Sequence, residues 1–346
     1  MLYVDIEKKY GSFSLCSSFE MKDDVMGLLG ASGSGKSLTL KAIAGIEKPD
    51  SGKIQLNGRT LFDSDKNINL RPQDRNVGYL FQNHALFPNM TVMQNVMAGV
   101  KEKSASIKRE KAGRILSELN IAHIKDRYPG EISGGESQRA ALGRVLVNMP
   151  DIVLLDEPFS ALDEYLRWKV QIEVFDILKK HGVPSILVTH SRDEAYRNCK
   201  SICVINNGRT ELNLPKEKLF SDPETYASCL ISGCKNFSGI KKLSKNRVYA
   251  EDFGIELVTA DEVLPKHRMI GIRSRDIVIS SRVFSENHFE LKLDRIVEET
   301  FADVLMFLPS CGAAKYMRAQ ADKKNSYKQG EMYTANINSD KIMLLE

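Results

Sequence analysis

No apolar run in this chain approaches the length that crosses a bilayer, and the longest strand-like runs are five or six residues. A basic start followed by an apolar signal core is also missing. Met1-Leu2-Tyr3-Val4-Asp5-Ile6-Glu7 alternates like a strand instead, so the protein is expected to be made and kept in the cytosol. The six cysteines, Cys16, Cys199, Cys203, Cys229, Cys234 and Cys311, contain no C-x-x-C pair. Cys199 and Cys203 stand four apart, but a helix-to-strand boundary falls between them, and the thiols read as buried or idle. Neither sign of charge dominates. A formal charge of +4 over 346 residues gives no ground for a nucleic-acid or acidic partner. The basic stretch Lys101, Lys103, Lys108, Arg109, Lys111, Arg114 is interrupted by Glu102 and Glu110 and reads as a solvated helix face. No low-complexity segment or duplicated unit is visible.

What remains is a soluble globular composition, 42% hydrophobic and 27% charged, long enough for two domains. Its most informative stretch is Gly30-Ala31-Ser32-Gly33-Ser34-Gly35-Lys36-Ser37, which fits the phosphate-loop pattern G-x-x-x-x-G-K-[ST]. An incidental glycine-rich turn meets that pattern in roughly one chain of this length in a hundred. The flanks lower this further. Val25-Met26-Gly27-Leu28-Leu29 suits a buried strand, and Leu38, Leu40, Ala42, Ile43 and Ala44 suit a helix ended by Gly45. A helix N-terminus directs free N–H groups and a positive dipole end at phosphates, while the glycines let the backbone wrap the anion. Lys36 would reach the β- and γ-phosphates, and the Ser37 hydroxyl would ligate Mg²⁺.

Strands alternate with helices along the chain, which predicts an α/β core with a largely parallel sheet. Asn57-Gly58 marks a hairpin, and Val77-Gly78-Tyr79-Leu80-Phe81 is a buried strand ending at Gln82. A helical pattern from Thr91 indicates an inserted subdomain over about 91–145. Ile152-Val153-Leu154-Leu155-Asp156-Glu157 is an apolar strand ending in two carboxylates, and Ser185 to Thr189 is a strand followed by His190. Ligands of such sheets bind at the carboxyl ends of the strands, where Gln82, Asp156 and His190 all fall. Asp156 can hold Mg²⁺ through water, and Glu157 can polarise the attacking water. Gln82 can contact Mg²⁺ and that water, and His190 the γ-phosphate. Tyr10 precedes Gly30 by twenty residues and can fold back to stack on an adenine ring, with Phe13 as a competing candidate. Ser133-Gly134-Gly135-Glu136-Ser137-Gln138 opens a second helix and offers a second anion site. One nucleotide does not need two cradles, so the two make sense if two copies pair head to tail. Beyond Cys234 short alternating runs suggest a small β-barrel or sandwich.

In this order the chain resembles the ATP-binding cassette (ABC) ATPases. Tyr10 stands as the A-loop aromatic, Gly30–Ser37 as Walker A and Gln82 as the Q-loop. Ser133–Gln138 stands as the signature, Ile152–Glu157 as Walker B, Ser160–Asp163 as the D-loop and His190 as the switch histidine. Leu38 replaces a frequent second hydroxyl, and Glu136-Ser137 replaces the commoner Gly-Gly-Gln wording; neither removes a phosphate ligand. The resemblance implies a P-loop cassette with an inserted helical subdomain over residues 1–231, then a β-rich, OB-like or TOBE-type regulatory domain over 232–346. It implies ATP and Mg²⁺ as ligands. The nucleotide contacts would come from Tyr10, Gly30, Ala31, Ser32, Gly33, Ser34, Gly35, Lys36, Ser37 and Asp163. Ser133, Gly134, Gly135 and Gln138 would add theirs across a head-to-tail dimer. Glu157, His190 and Gln82 would be catalytic, and Ser37, Gln82 and Asp156 would hold the metal.

A cassette without a membrane span lends its ATP cycle to separate permease subunits, and the β-rich extension looks like that of importer ATPases. Gly271-Ile272-Arg273-Ser274-Arg275-Asp276-Ile277 resembles the strand entry of such domains, and Asn83 to Val96 would meet the permease. The expected place is the cytoplasmic face of the cell membrane, with an extracytoplasmic substrate-binding protein as an indirect partner and no nucleic acid. The stretch Arg59 to Pro72 and the junction Ser232-Gly233-Cys234-Lys235-Asn236-Phe237-Ser238 look like the molybdate/sulfate importer ATPases. Molybdate or tungstate is therefore the expected cargo, with sulfate or thiosulfate next and ferric iron, polyamine or sugar behind. A non-transport ABC ATPase is the other class. Ribosome-acting members generally carry two cassettes, and DNA-repair members carry coiled coils or zinc modules that this chain does not display.

Overall fold

In the computed structural model the chain forms two compact units, Met1–Lys216 and Glu217–Glu346. All residues are described except Asp23, His84, Ala161, Ser281, Phe284, 310–314 and Lys324. Cys311 and parts of the expected D-loop (Ala161) and permease-facing stretch (His84) thus lie outside the described residues.

The first unit carries strands β1 (Leu2–Tyr10), β2 (Phe13–Met21), β3 (Val25–Leu29), β4 (Ser51–Leu56), β5 (Arg59–Asp63) and β6 (Ile68–Asn69). They are followed by β7 (Val77–Leu80), β8 (Ile152–Asp156), β9 (Ser185–Val188), β10 (Ser201–Asn206) and β11 (Arg209–Pro215). All join one sheet, in the order β6-β5-β4-β1-β2-β11-β10-β3-β9-β8-β7. Its helices are α1 (Lys36–Ala44), α2 (Val92–Gly99), α3 (Ala105–Glu118), α4 (Gly134–Leu146), α5 (Glu164–Lys180) and α6 (Arg192–Asn198). The neighbours β10, β3, β9, β8 and β7 run parallel, and β8 and β9 are buried along their whole length. Parallel strands covered on both faces require such continuous apolar runs. β1 and β4 to β6 are antiparallel, and β1 alternates buried Leu2, Val4 and Ile6 with more exposed Tyr3, Asp5 and Glu7. Asn57-Gly58 and Asn207-Gly208 both turn with two positive φ angles, as tight hairpins demand.

Helix α1 begins after Gly35 (φ 106°) and ends at Gly45 (φ 80°). Behind it lies Arg75, a fully buried cation. Its guanidinium donates to Ala42 O at 2.7 Å, Ile43 O at 2.8 Å, Leu70 O at 2.8 Å and Asn69 Oδ1 at 2.8 Å. Burial lowers its pKa to about 10. A Cβ on Gly45 would stand 2.5 Å from Arg75 Nε, so glycine there makes room for the cation as well as the turn. In the helical subdomain, Gly143 lets α4 approach closely: a Cβ there would meet Leu119 Cδ1 at 2.8 Å and Val96 Cγ2 at 3.5 Å.

The second unit begins with α7 (Lys216–Ser221) and α8 (Tyr226–Ile231), then β12 (Asn236–Ser244), β13 (Arg247–Ala250), β14 (Ile255–Val258), β15 (Met269–Ile272) and β16 (Ile277–Ile279). It continues with β17 (Asn287–Glu298), β18 (Ala302–Pro309), β19 (Met317–Asp322), β20 (Met332–Ile337) and β21 (Met343–Leu345). Its two sheets run β14-β13-β12-β15-β21 and β16-β20-β17-β18-β19. The same order therefore occurs twice, and each five-strand half lends its last strand to the other half's sheet. This corrects the expectation of no duplicated unit. Asn236 and Asn287 are buried at the start of the first strand of each half. Asn236 accepts from Arg318 N at 2.7 Å and donates to Arg318 O at 2.9 Å, and Asn287 pairs likewise with Val258 N and O at 2.6 and 2.9 Å. The repeat rests on these amides and on strand pairing, which many side chains satisfy, so the residue order conceals it. Cys229 of α8 packs with Cys234, Met343 and Leu345, which places the division at Lys216/Glu217 rather than at 231/232.

Replacing Arg75 by Met would remove the guanidinium hydrogen bonds to the carbonyls of Ala42, Ile43 and Leu70. We expect a loss of about 3 kcal/mol, read as a lower denaturation midpoint in the fluorescence of Trp168, the single tryptophan.

Candidate functional site

The Gly30–Ser37 loop leaves the carboxyl end of β3 and enters α1. Gly30 has no substitute here, because a Cβ would collide with Ile205 O and approach Ser34 Oγ. Gly33 and Gly35 take φ values of 77° and 106° that glycine alone adopts without strain. The Ser34 hydroxyl is buried without a hydrogen-bond partner. Lys36 Nζ is buried and donates to Gly30 O at 2.9 Å and Ala31 O at 2.8 Å. Burial pulls its ammonium below the usual pKa, against the opposite pull of the Glu157 and Asp156 carboxylates.

Asp156, at the end of β8, joins three elements. Ser37 Oγ donates to its Oδ1 at 2.7 Å, and the Tyr79 hydroxyl of β7 donates to Oδ2 at 2.7 Å. Burial first, and then this bond, raise the Tyr79 pKa, so the phenol keeps its proton. Glu157 follows at φ 46°, a strained value for a non-glycine residue, and its N–H donates to Val188 O at 3.1 Å. Its Oε2 stands 3.5 Å from Nδ1 of His190, whose ring is largely exposed. Gln82 Nε2 donates to Ser160 Oγ at 3.2 Å, and Ser160 Oγ donates to Glu157 O at 2.9 Å. Asp163 caps α5 through Leu166 N at 2.9 Å. Arg167 steadies the preceding segment by donating to Phe159 O at 3.1 Å and Leu162 O at 2.7 Å. Lys36, Ser37, Asp156, Glu157 and His190 are thus gathered around the carboxyl ends of β3, β8 and β9, with Gln82 linked through Ser160.

Other expected residues stand elsewhere. A surface cavity of about 440 Å³ beside the loop is lined by Phe13, Ala31, Ser32, Gly33, Asn207 and Arg209 among others. Tyr10 does not line it and is 55% exposed, whereas the Phe13 ring lies over Gly35, within 3.2 Å of where a Cβ would be. Ser133, Gly134, Gly135 and Gln138 do not line this cavity either. Ser133 and Gly134 are exposed at the start of α4, and Gly135 is buried with room for no large side chain beside Val170 and Leu166. Gln138 is wholly buried, and its amide atoms have no hydrogen-bond partner. Sequence reasoning missed Tyr79, Arg167, Asn207 and Arg209. For Asn207 a signal existed, since Asn207-Gly208 repeats the hairpin wording of Asn57-Gly58, and Gly208 N donates to Ser34 O at 3.0 Å.

The ABC transporter family profile matches residues 18–160. The sulfate/thiosulfate import ATP-binding protein CysA of Mesostigma viride is 33% identical over 302 residues, 86% of this chain and 83% of that protein. The chain belongs to the ABC transporter family. The molybdenum import ATP-binding protein ModC of Paramagnetospirillum magneticum is 36% identical over 223 residues, 64% of this chain, and the match spans 61% of that protein's length. Among solved structures, the dimeric bacterial ABC transporter cassette MJ0796 superposes with a TM-score of 0.53 at 26% identity, covering 62% of this chain and 99% of that one. The fold is therefore a P-loop ABC cassette followed by a β-rich domain of OB-like, TOBE type. Cassettes of this family bind ATP.

The position of Phe13 yields a direct comparison. Phe13→Ala is expected to weaken ATP binding about tenfold, the worth of one base–aromatic stack, while Tyr10→Ala leaves it within about twofold. Titration with a fluorescent ATP analogue measures both.

Proposed function

We propose that this chain is the ATP-hydrolysing subunit of an ABC importer, working at the cytoplasmic face of a membrane. The observation that supports this best is the gathering of the phosphate loop, Asp156, Glu157 and His190 at the ends of neighbouring parallel strands. The Gly30–Ser37 N–H groups and Lys36 hold the β- and γ-phosphates. In exchange, Lys36 Nζ gives up its bonds to Gly30 O and Ala31 O. The Ser37 hydroxyl and Asp156 carboxylate are an all-oxygen pair of the kind Mg²⁺ prefers, and they fit that ion together with Gln82. When bound, Mg²⁺ supplies positive charge that neutralises the β- and γ-phosphate oxygens. Glu157 accepts the proton of the attacking water, and His190 donates to the γ-phosphate, a hydrogen bond the 3.5 Å Glu157–His190 approach keeps in place.

Ser133 and Gly135 act on the nucleotide of a second copy, paired head to tail. The exposure of Ser133 and Gly134 at the start of α4, away from their own phosphate loop, supports this reading, as does the dimeric state of the related cassette. Asn83 to Val96 meets the integral-membrane permease. Buried Asn95 shapes that surface by accepting from Phe87 N at 2.8 Å and donating to Phe87 O, Met90 O and Thr91 O at 3.0 to 3.1 Å. Met1–Lys216 forms the working cassette, and Glu217–Glu346 regulates it or supports the dimer. An extracytoplasmic binding protein delivers the cargo, which we propose to be molybdate or tungstate, with sulfate or thiosulfate next. The similarity to molybdenum and sulfate import proteins supports an oxyanion.

Two experiments test this. Glu157→Gln keeps the shape and removes the base, so hydrolysis should fall by roughly 10²- to 10⁴-fold while ATP binding persists and an ATP-bound dimer accumulates in light scattering. Near-normal turnover would move the base role elsewhere. For the cargo, the chain is reconstituted with its permease and a binding protein loaded with each oxyanion in turn. ATPase stimulation is expected with molybdate; stimulation by a sugar- or polyamine-loaded protein alone would exclude it.

A further inference from the structure

Ser133-Gly134-Gly135-Glu136 opens α4 and forms a capping box. The Ser133 hydroxyl donates to Glu136 Oε2 at 2.7 Å, and the Ser133 N–H donates to the same oxygen at 2.9 Å. A serine hydroxyl has one proton to give. While Glu136 takes it, a phosphate oxygen cannot.

The carboxylate keeps its charge. The Ser133 hydroxyl, and then the Ser133 N–H, pull its pKa below the usual carboxylate range. The positive end of α4 favours the same ionised form. Two nearby cations, Arg139 and His123, add a smaller pull in the same direction. Arg139 Nη1 donates to Glu173 Oε2 at 2.8 Å, and His123 Nε2 stands 3.5 Å from the other oxygen, Oε1, with its ring 66% exposed.

From this arrangement we infer that Glu136 is an internal anion that competes for the hydroxyl a nucleotide phosphate takes from the partner copy, so that its charge opposes closure of the head-to-tail dimer. The inference rests on the head-to-tail reading above and adds a brake to it. Glu136 is a positioning residue: it acts through Ser133 and through the field at the start of α4, not on the reacting atoms. Closure brings a γ-phosphate to Ser133 from the opposite copy. The hydroxyl must then turn away from Glu136, and two like charges come within a few ångströms at each of the two sites. Glutamine at this position keeps the box, because its amide oxygen accepts the same two bonds, but it carries no charge.

Dimer formation is measured in the Glu157→Gln background with ATP and Mg²⁺, by analytical ultracentrifugation over a range of protein concentrations at low and high salt. Adding Glu136→Gln is expected to lower the concentration for half-dimerisation at least about tenfold at low salt. The gain should shrink at high salt, where screening already weakens the repulsion. Glu136→Asp, which keeps the charge, should dimerise no better than the parent. Equal dimerisation of parent and Glu136→Gln, or tightening by Asp as large as by Gln, overturns the brake while leaving the head-to-tail dimer standing. No dimer in any of the proteins removes the pairing on which the brake depends, and the brake with it.

Discussion

Helix α1 is held at both ends, and the nucleotide site depends on that. At its N-terminus Ser37 is tied to Asp156, and through it to Tyr79. At its C-terminus the Arg75 guanidinium takes the last carbonyls, Ala42 O and Ile43 O, where a positive group also suits the helix dipole. Enclosing a cation costs several kcal/mol unless its donors are met. Arg75 meets this with four acceptors and the space left by Gly45. A phosphate loop on a helix fixed in this way has little freedom to drift along its axis.

The groups expected to meet the nucleotide are already engaged with one another. Lys36 bonds its own loop, Ser37 bonds Asp156, Gln82 bonds Ser160 and Ser133 bonds Glu136. Ligand binding here exchanges hydrogen bonds, and an exchange is worth only about 1 kcal/mol each. Charge must therefore carry most of the selectivity, with the buried Lys36 ammonium at the start of α1 and the Glu136 carboxylate at the start of α4.

In the second unit the two halves hold each other by exchanging their last strands, and Asn236 and Asn287 extend the pairing with side-chain amides that imitate backbone. Neither half completes a sheet alone, so the unit folds as a whole.

The residues by themselves determined the phosphate loop, the parallel strands at Val25–Leu29 and Ile152–Asp156, the carboxylates after the second, and the signature helix. Each is a local matter, since glycine spacing, apolar runs and capping residues act within a few positions of one another. The division of the chain at Lys216, the doubled β-rich unit, the roles of Tyr79 and Arg75, and the placing of Phe13 rather than Tyr10 beside the loop were decided only by tertiary structure. Tyr79 and Asp156 are far apart in sequence, and so are Arg75 and Ala42. Strand pairing asks little of residue identity, and Tyr10 and Phe13 stand directly opposite one another on one face of the β1–β2 hairpin, so only the packing of that hairpin on the loop sets Phe13 over Gly35. Such contacts are made by the packing of whole elements, and no short stretch of sequence contains them.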